Sequence, residues 1–129
     1  MKKIEMIVER TNTGYSAFAK DYPVGTTGDS LPELTSNILE AMNFYFDEME
    51  GKGKVVTDKD LKITLDLRQF FEFYKVINAT ALSERIGMNQ SLLAQYINGI
   101  KKPSQVQTRR ILQGVQKIGR ELAEINFLL

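Results

Sequence analysis

Between Asn78 and Ser104 two helical periods meet at a single glycine, and no other stretch of the chain leaves so few folds open. Leu82, Ile86, Leu93 and Ile97 recur at helical spacing on either side of Gly87, so two short helices can share one core. Glycine tolerates the left-handed conformation in which helices end, which sets the stop of the first helix at Gly87. Asn89 can cap the second helix by accepting from backbone N–H groups one turn on. Gln90, Ser91 and Gln95 are then left on the outer face of that helix. The run Asn98-Gly99-Ile100-Lys101-Lys102-Pro103-Ser104 follows as a basic loop. An ordinary helical hairpin with solvated glutamines is the plainer reading of the same residues.

The pieces Leu82, Ile86-Gly87, Asn89-Gln90-Ser91, Leu93 and the tail Tyr96 to Ser104 resemble the phage-repressor-like helix-turn-helix family. Two positions depart from it. Ala79 stands where many members carry a phosphate-contacting glutamine, and Ser83 replaces the usual alanine at the helix–helix contact. In a helix-turn-helix the early residues of the second helix reach base edges in the major groove. A glutamine amide suits that place, because it can give one bond and take another at the N6/N7 edge of adenine. On this reading Gln90, Ser91 and Gln95 read bases. Asn89 and Asn98 hold the helix ends, with phosphate contact at their backbone amides. Lys101, Lys102 and Ser104 hold phosphates, and Arg109 and Arg110 are weaker candidates.

Absences narrow the chemistry. The 129 residues include neither cysteine nor histidine, so disulfides, thiolate metal sites, and Ser-His-Asp or Cys-His catalysis are ruled out within the chain. No run of about 20 apolar residues is present, so no membrane span is expected. The charged start, Met1 to Arg10, does not read as a signal peptide, and the expected location is cytoplasmic. Net charge is only +1, but it is unevenly placed: residues 1–70 carry nine Lys/Arg against twelve Asp/Glu, and residues 71–129 eight against four. The basic C-terminal half suits an anionic partner. Its excess is moderate, so one copy should bind DNA weakly and with strong salt dependence, and a homodimer or higher homo-oligomer is the usual remedy.

The N-terminal half reads differently. Ile4, Met6 and Val8 alternate as a half-buried strand; Thr11 to Gly14 is a turn; Tyr15 to Ala19 is a second strand, and Pro23 to Gly28 a short third. Ser30 and Glu33 have capping-box spacing and open a helix to about Glu50, closed by Gly51 to Lys54. Leu31, Leu34, Ile38, Ala41, Met42, Tyr45 and Met49 form its expected buried stripe. Lys62 to Leu67 is a last strand. This β-β-β-α-β order predicts an α+β domain over residues 1–66, followed by an all-α domain over 67–129. Asp66 can cap a helix from Leu67 to Ile77, with Phe70, Tyr74 and Ile77 inward. Beyond Ser104, which has capping-box spacing with Gln107, a helix carries Ile111, Val115, Ile118, Leu122 and Ile125. That stripe fits either a cover for the helical domain or a dimer seam. Gly114 and Gly119 each cost about 1 kcal/mol in a helix interior, so a break near Gly119 is plausible. The apolar end, Asn126 to Leu129, should pack against something.

Gly14 to Phe18, Thr26 to Leu34, Asn37 and Glu40-Ala41 resemble the HicB antitoxin family, over residues 3–67. Pro23-Val24-Gly25 departs from it, since many members have Pro-Gly and then a small residue. The resemblance implies a partial ribonuclease H-like fold. Joined to the helix-turn-helix resemblance, it implies an antitoxin of a type II toxin–antitoxin pair. Such a protein neutralises a HicA-like mRNA-cleaving toxin and represses its own operon by binding double-stranded operator DNA. Exposed strand edges and the Asp21 to Asp29 loop are candidates for the toxin contact. A transcriptional regulator without a toxin, using its N-terminal domain for dimerisation or ligand sensing, is the alternative. An enzyme would have to recruit Asp21, Glu40 and Asp66 around metal ions, yet loop solvation, helix surface charge and helix capping explain these residues more simply. No cofactor, metal or catalytic residue is expected.

Overall fold

The computed structural model describes residues 2–50 and 55–128, without the side chains of Glu50, Phe127 and Leu128. The elements run β1 Ile4–Arg10, β2 Tyr15–Ala19, β3 Gly25–Gly28, α1 Leu31–Glu50, β4 Leu61–Leu65, α2 Leu67–Phe73, α3 Ala79–Ile86, α4 Gln90–Ile97 and α5 Gln105–Glu124. Short 3-10 turns span Asp58–Asp60 and Ile125–Leu128. The class is α+β. Gly51 to Lys54, the expected end of α1, lie outside the described residues, as does Leu129.

One four-stranded sheet has the order β3-β2-β1-β4; β1 and β2, and β2 and β3, are antiparallel, and β1 and β4 are parallel. Alternation in β1 puts Ile4, Met6 and Val8 on one face, where they are buried with Ala17, Ala19 and Leu61 against Leu34, Ile38, Met42 and Phe46 of α1. Ser30 caps α1, its Oγ accepting from Glu33 N–H at 3.2 Å. The Glu33 carboxylate reaches one residue further out than a capping box requires, to Asp29 N–H at 3.1 Å. The expected stripe of α1 needs correction at both ends. Leu31 is 53% and Met49 68% exposed, while Phe46, absent from that stripe, is buried. Tyr22, Tyr45 and Phe46 stack edge-to-face at 5.2–5.6 Å between centroids and draw the packed face towards Phe46. Asn43 holds the chain beyond the helix: Val56 N–H donates to its Oδ1 at 2.6 Å, and its Nδ2 donates to Val56 O at 3.1 Å.

The contacts divide the chain into two compact units, Met1–Phe73 and Tyr74–Leu129. Helix α2 thus goes with the first unit, where the sequence had grouped it with the second. The cause is a side-chain amide acting as a strand partner. Gln69 Oε1 accepts from Arg10 N–H at 2.8 Å and Gln69 Nε2 donates to Arg10 O at 2.6 Å, at the end of β1. Asp66 N–H donates to Val8 O, and Asp66 Oδ1 caps α2 by accepting from Gln69 N–H at 3.1 Å. Helix α2 is shorter than residues 67–77, and Leu67 and Phe71 are its buried residues rather than Phe70, Tyr74 and Ile77. It ends early because Asn78 leaves helical geometry to cap α3.

Helix α5 runs unbroken through both of its glycines, contrary to the expected break. A Cβ on Gly114 would lie 2.3 Å from Ile86 Cγ2, so this glycine lets α5 approach α3; at Gly119 a Cβ meets nothing within 4 Å. Of the expected stripe, Ile111 is fully buried, Val115 and Ile118 are half-buried, and Leu122 and Ile125, the latter just past α5, are more than half exposed.

Two outcomes follow for stability. Gln69→Ala strands an N–H and a carbonyl of Arg10 and should cost about 1–3 kcal/mol in urea denaturation. Gly119→Ala should add about 1 kcal/mol of helix propensity; Gly114→Ala must displace a stiff β-branched neighbour and should lower the melting temperature instead.

Candidate nucleic-acid interface

In the second unit the chain is steered by caps before it is held by packing. Asn78 Oδ1 accepts from Ala81 N–H at 3.0 Å to open α3. Gly87 closes it at φ 66°, in the left-handed region, with its N–H on Glu84 O and the Met88 N–H on Ser83 O. Arg110 reaches over from α5, its Nη2 donating to Ile86 O at 2.7 Å and Gly87 O at 2.8 Å. Asn89 Oδ1 then accepts from Leu92 N–H at 3.1 Å and starts α4. Leu82, Met88, Leu93, Tyr96 and Ile111 are buried between these helices, with Ile86 and Ile97 half-buried. Ser83 is also buried, and its hydroxyl donates to Thr80 O at 2.6 Å, so the polar replacement carries no unsatisfied group.

This arrangement leaves Gln90, Ser91 and Gln95 exposed. Ser91 and Gln95 stand one turn apart on a shared face of α4. Gln90 is braced: its Nε2 donates to Thr80 Oγ1 at 3.1 Å, which orients the amide and leaves its carbonyl oxygen to accept. Beyond α4, Gly99 turns the chain at φ 75°, and the N–H groups of Ile100 and Lys101 both donate to Gln95 O. The start of the basic loop is therefore tied to the helix carrying Gln95. Lys101, Lys102 and Ser104 are exposed along it.

Hydrogen bonds within the fold bear on three of the expected contacts. Asn98 N–H donates to Ala94 O at 2.9 Å, so that amide is not open to a phosphate. Ser104 Oγ accepts from Gln107 N–H at 3.1 Å as the cap of α5, which fixes its position and leaves its hydroxyl hydrogen to donate to a phosphate. Arg110 is engaged at the end of α3 through Nη2, which ties its guanidinium to that junction. Asn89 and Asn98, both exposed, hold the two ends of α4. Sequence reading missed Thr80, whose hydroxyl orients Gln90; a threonine near a helix start carries no signal of a partner ten residues on.

Arg85 and Glu121 join α3 to α5 through contacts of 2.8 and 2.6 Å from one guanidinium nitrogen to both carboxylate oxygens. The hydrogen bond from Arg85 holds the Glu121 carboxyl below its usual value, and the Glu121 carboxylate raises Arg85. Both side chains are 45% exposed, so the pair adds little stability. The acidic residues that metal chemistry would recruit are otherwise placed. Asp66 caps α2, Asp21 and Glu40 are exposed, and among the described residues no three His, Cys, Asp or Glu converge. Among the same residues, no helix is long and apolar enough to cross a membrane. Compared with protein-family models, curated proteins and solved structures, the chain matches none.

The lowered Glu121 value fixes a sign for pH. Its contribution to stability is present above the ordinary carboxylate value of 4.5 and is lost as pH falls through the lower native value. Glu121→Gln should therefore be less stable than the parent at pH 7, and the difference in denaturation midpoint should vanish once pH falls below the lowered native value. A difference independent of pH contradicts the ion pair.

Proposed function

We propose that this protein is the antitoxin of a type II toxin–antitoxin pair: it neutralises a HicA-like mRNA interferase through its first unit and represses its own operon through the second. The observation that carries the DNA-binding half is the exposed amide face of α4. Gln90, Ser91 and Gln95 face solvent at a helix start set by Gly87 and Asn89, with the cationic loop tethered beside them. A recognition helix needs such an end, free of side chains that cover it, next to cations that hold phosphates and fix register. In this reading Gln95 and Ser91 read base edges, Gln90 accepts from a base or a phosphate-bound water, and Lys101 and Lys102 supply phosphate contacts. Ser104 adds a hydroxyl donor, while Asn89 and Asn98 shape α4.

Two copies act together. The second unit carries eight Lys/Arg against three Asp/Glu over residues 74–129, too small an excess for tight binding by one copy. Leu122 and Ile125 extend the buried line of α5 beyond the part that covers α3, and they lie open to a second helix. The HicB-like, partial ribonuclease H-like reading of the first unit is supported by its β-β-β-α-β order and by the turn and helix-start residues from Gly14 to Leu34. Its acidic balance suits a basic, RNA-binding toxin.

The test uses the operator upstream of the protein's own gene. Gln95→Ala should lose about 1–3 kcal/mol of discrimination between operator and scrambled DNA. Lys101→Ala should weaken both equally and reduce the salt slope by about 1. Growth arrest by the small protein encoded next to it should be rescued by the parent and by Gln95→Ala alike. Rescue by neither, with operator binding intact, would leave a regulator without a toxin.

A further inference from the structure

We propose that the groove between β3 and the C-terminal half of α1 is where the first unit receives its partner: an arginine- or lysine-rich protein segment that seats an apolar side chain between Phe44 and Met49. The proposal rests on the toxin-neutralising reading; the sequence had named the Asp21 to Asp29 loop for that contact, and the structure adds the facing side of α1 to it. The groove encloses about 620 Å³. Val24, Tyr45, Phe44 and Met49 give it apolar walls, and Glu40 and Glu48 line its acidic rim.

Three observations point to an occupant rather than to folding. First, Phe44 is 67% and Met49 68% exposed on a helix whose neighbouring stripe, Leu34, Ile38, Met42 and Phe46, is buried. Both border the groove, and large apolar side chains left this open contribute little to the core beneath them. Second, the charge violates a helix rule. The C-terminus of a helix carries partial negative charge and favours cations, yet α1 has none in its last turn, and Asp47 and Glu48 lie there. Glu40, Phe44 and Glu48 fall at successive intervals of four, so the aromatic ring lies between two carboxylates on one line of the helix. Among the described residues, none that lines the groove is basic. Third, the floor is firm, because Tyr45 is packed edge-to-face on both Tyr22 and Phe46.

A basic partner answers all three at once, supplying an apolar side chain for the pocket and cations for the rim and the helix end. Recognition runs through side chains rather than strand addition. β3 is an edge strand, but Asn37 Nδ2 already donates to Thr27 O at 2.7 Å and blunts that edge.

The experiment titrates the full-length protein with the small basic protein encoded beside it, by calorimetry at two salt concentrations. Phe44→Ser with Met49→Ser, and separately Glu40→Lys with Glu48→Lys, alter only exposed side chains. Each pair should keep the parent's melting temperature and operator affinity. Each should weaken partner binding by about ten-fold or more, and the charge reversal should also flatten its salt dependence. A change below ten-fold in both variants, with the parent binding, overturns the groove but leaves the antitoxin reading standing. Failure of the parent to bind overturns that reading, and the groove assignment with it. An altered sedimentation coefficient of the variants alone, without loss of partner binding, assigns the face to self-association and also overturns the proposal.

Discussion

The Arg110 guanidinium closes the carbonyl end of α3, and the presentation of α4 depends on that closure. Helix ends leave carbonyls without partners, and here two of them, on Ile86 and Gly87, meet one charged donor from a different helix. The left-handed turn at Gly87 sends the chain away from α3, and Asn89 restarts helix two residues later. Met88, between them, is buried, so the turn is pinned by packing as well as by hydrogen bonds. Because Arg110 belongs to α5, the third helix is fastened to the junction of the other two. Gly114 continues the same contact one turn on, at a distance no side chain would permit. The angle between α3 and α4 is thus set locally and braced from outside, which suits the duplex-binding role proposed for this surface.

How far this was legible in the residues depended on whether the cause was periodic. The strands of the first unit and the two short helices of the second follow from spacing two and spacing near four, and Gly87 and Asn89 act as a stop and a start wherever they fall between such runs. Caps at Ser30, Asp66 and Ser104 were equally local. What escaped were side chains that bond to distant backbone. Gln69 decides which unit α2 joins through a contact 59 residues away in sequence, and Asn43 secures Val56 across the end of α1. Neither residue breaks a pattern, so neither advertises its partner. Phe46 was legible, since it continues the spacing of Leu34, Ile38 and Met42; its packing on the loop residue Tyr22 was not.

At the candidate site the same distinction holds. Exposure of Gln90, Ser91 and Gln95 follows from the phase of α4, which Leu93 and Tyr96 fix by being buried. The availability of individual donors does not follow from phase. Asn98 N–H, the Ser104 lone pair and the Arg110 guanidinium are each committed within the fold. Residue type and exposure therefore do not by themselves say which donor atoms of a residue are in use within the fold. The cations of the loop differ in kind from Arg110. Lys101 is held through its backbone, by Gln95 O, so its position is fixed while its ammonium is not used for that purpose.

The charge division gains meaning from this difference. Over residues 1–73 the chain carries nine Lys/Arg against thirteen Asp/Glu, and over residues 74–129 eight against three. A protein that must bind DNA and also a basic RNA-binding protein faces two opposed electrostatic demands. A single uniformly basic chain would be drawn to DNA but would repel the second partner; an acidic one would do the reverse. Dividing the charge between two separately packed units meets both. It also makes the acidic last turn of α1 intelligible, since carboxylates there oppose the helix dipole and add nothing to the first unit's own stability. Their cost is small beside the core formed by Met6, Ile38 and Met42, all fully buried. A stable core can carry an unfavourable surface charge, and acidic residues in the last turn of a helix are the kind of local exception by which the proposed partner surface is recognised.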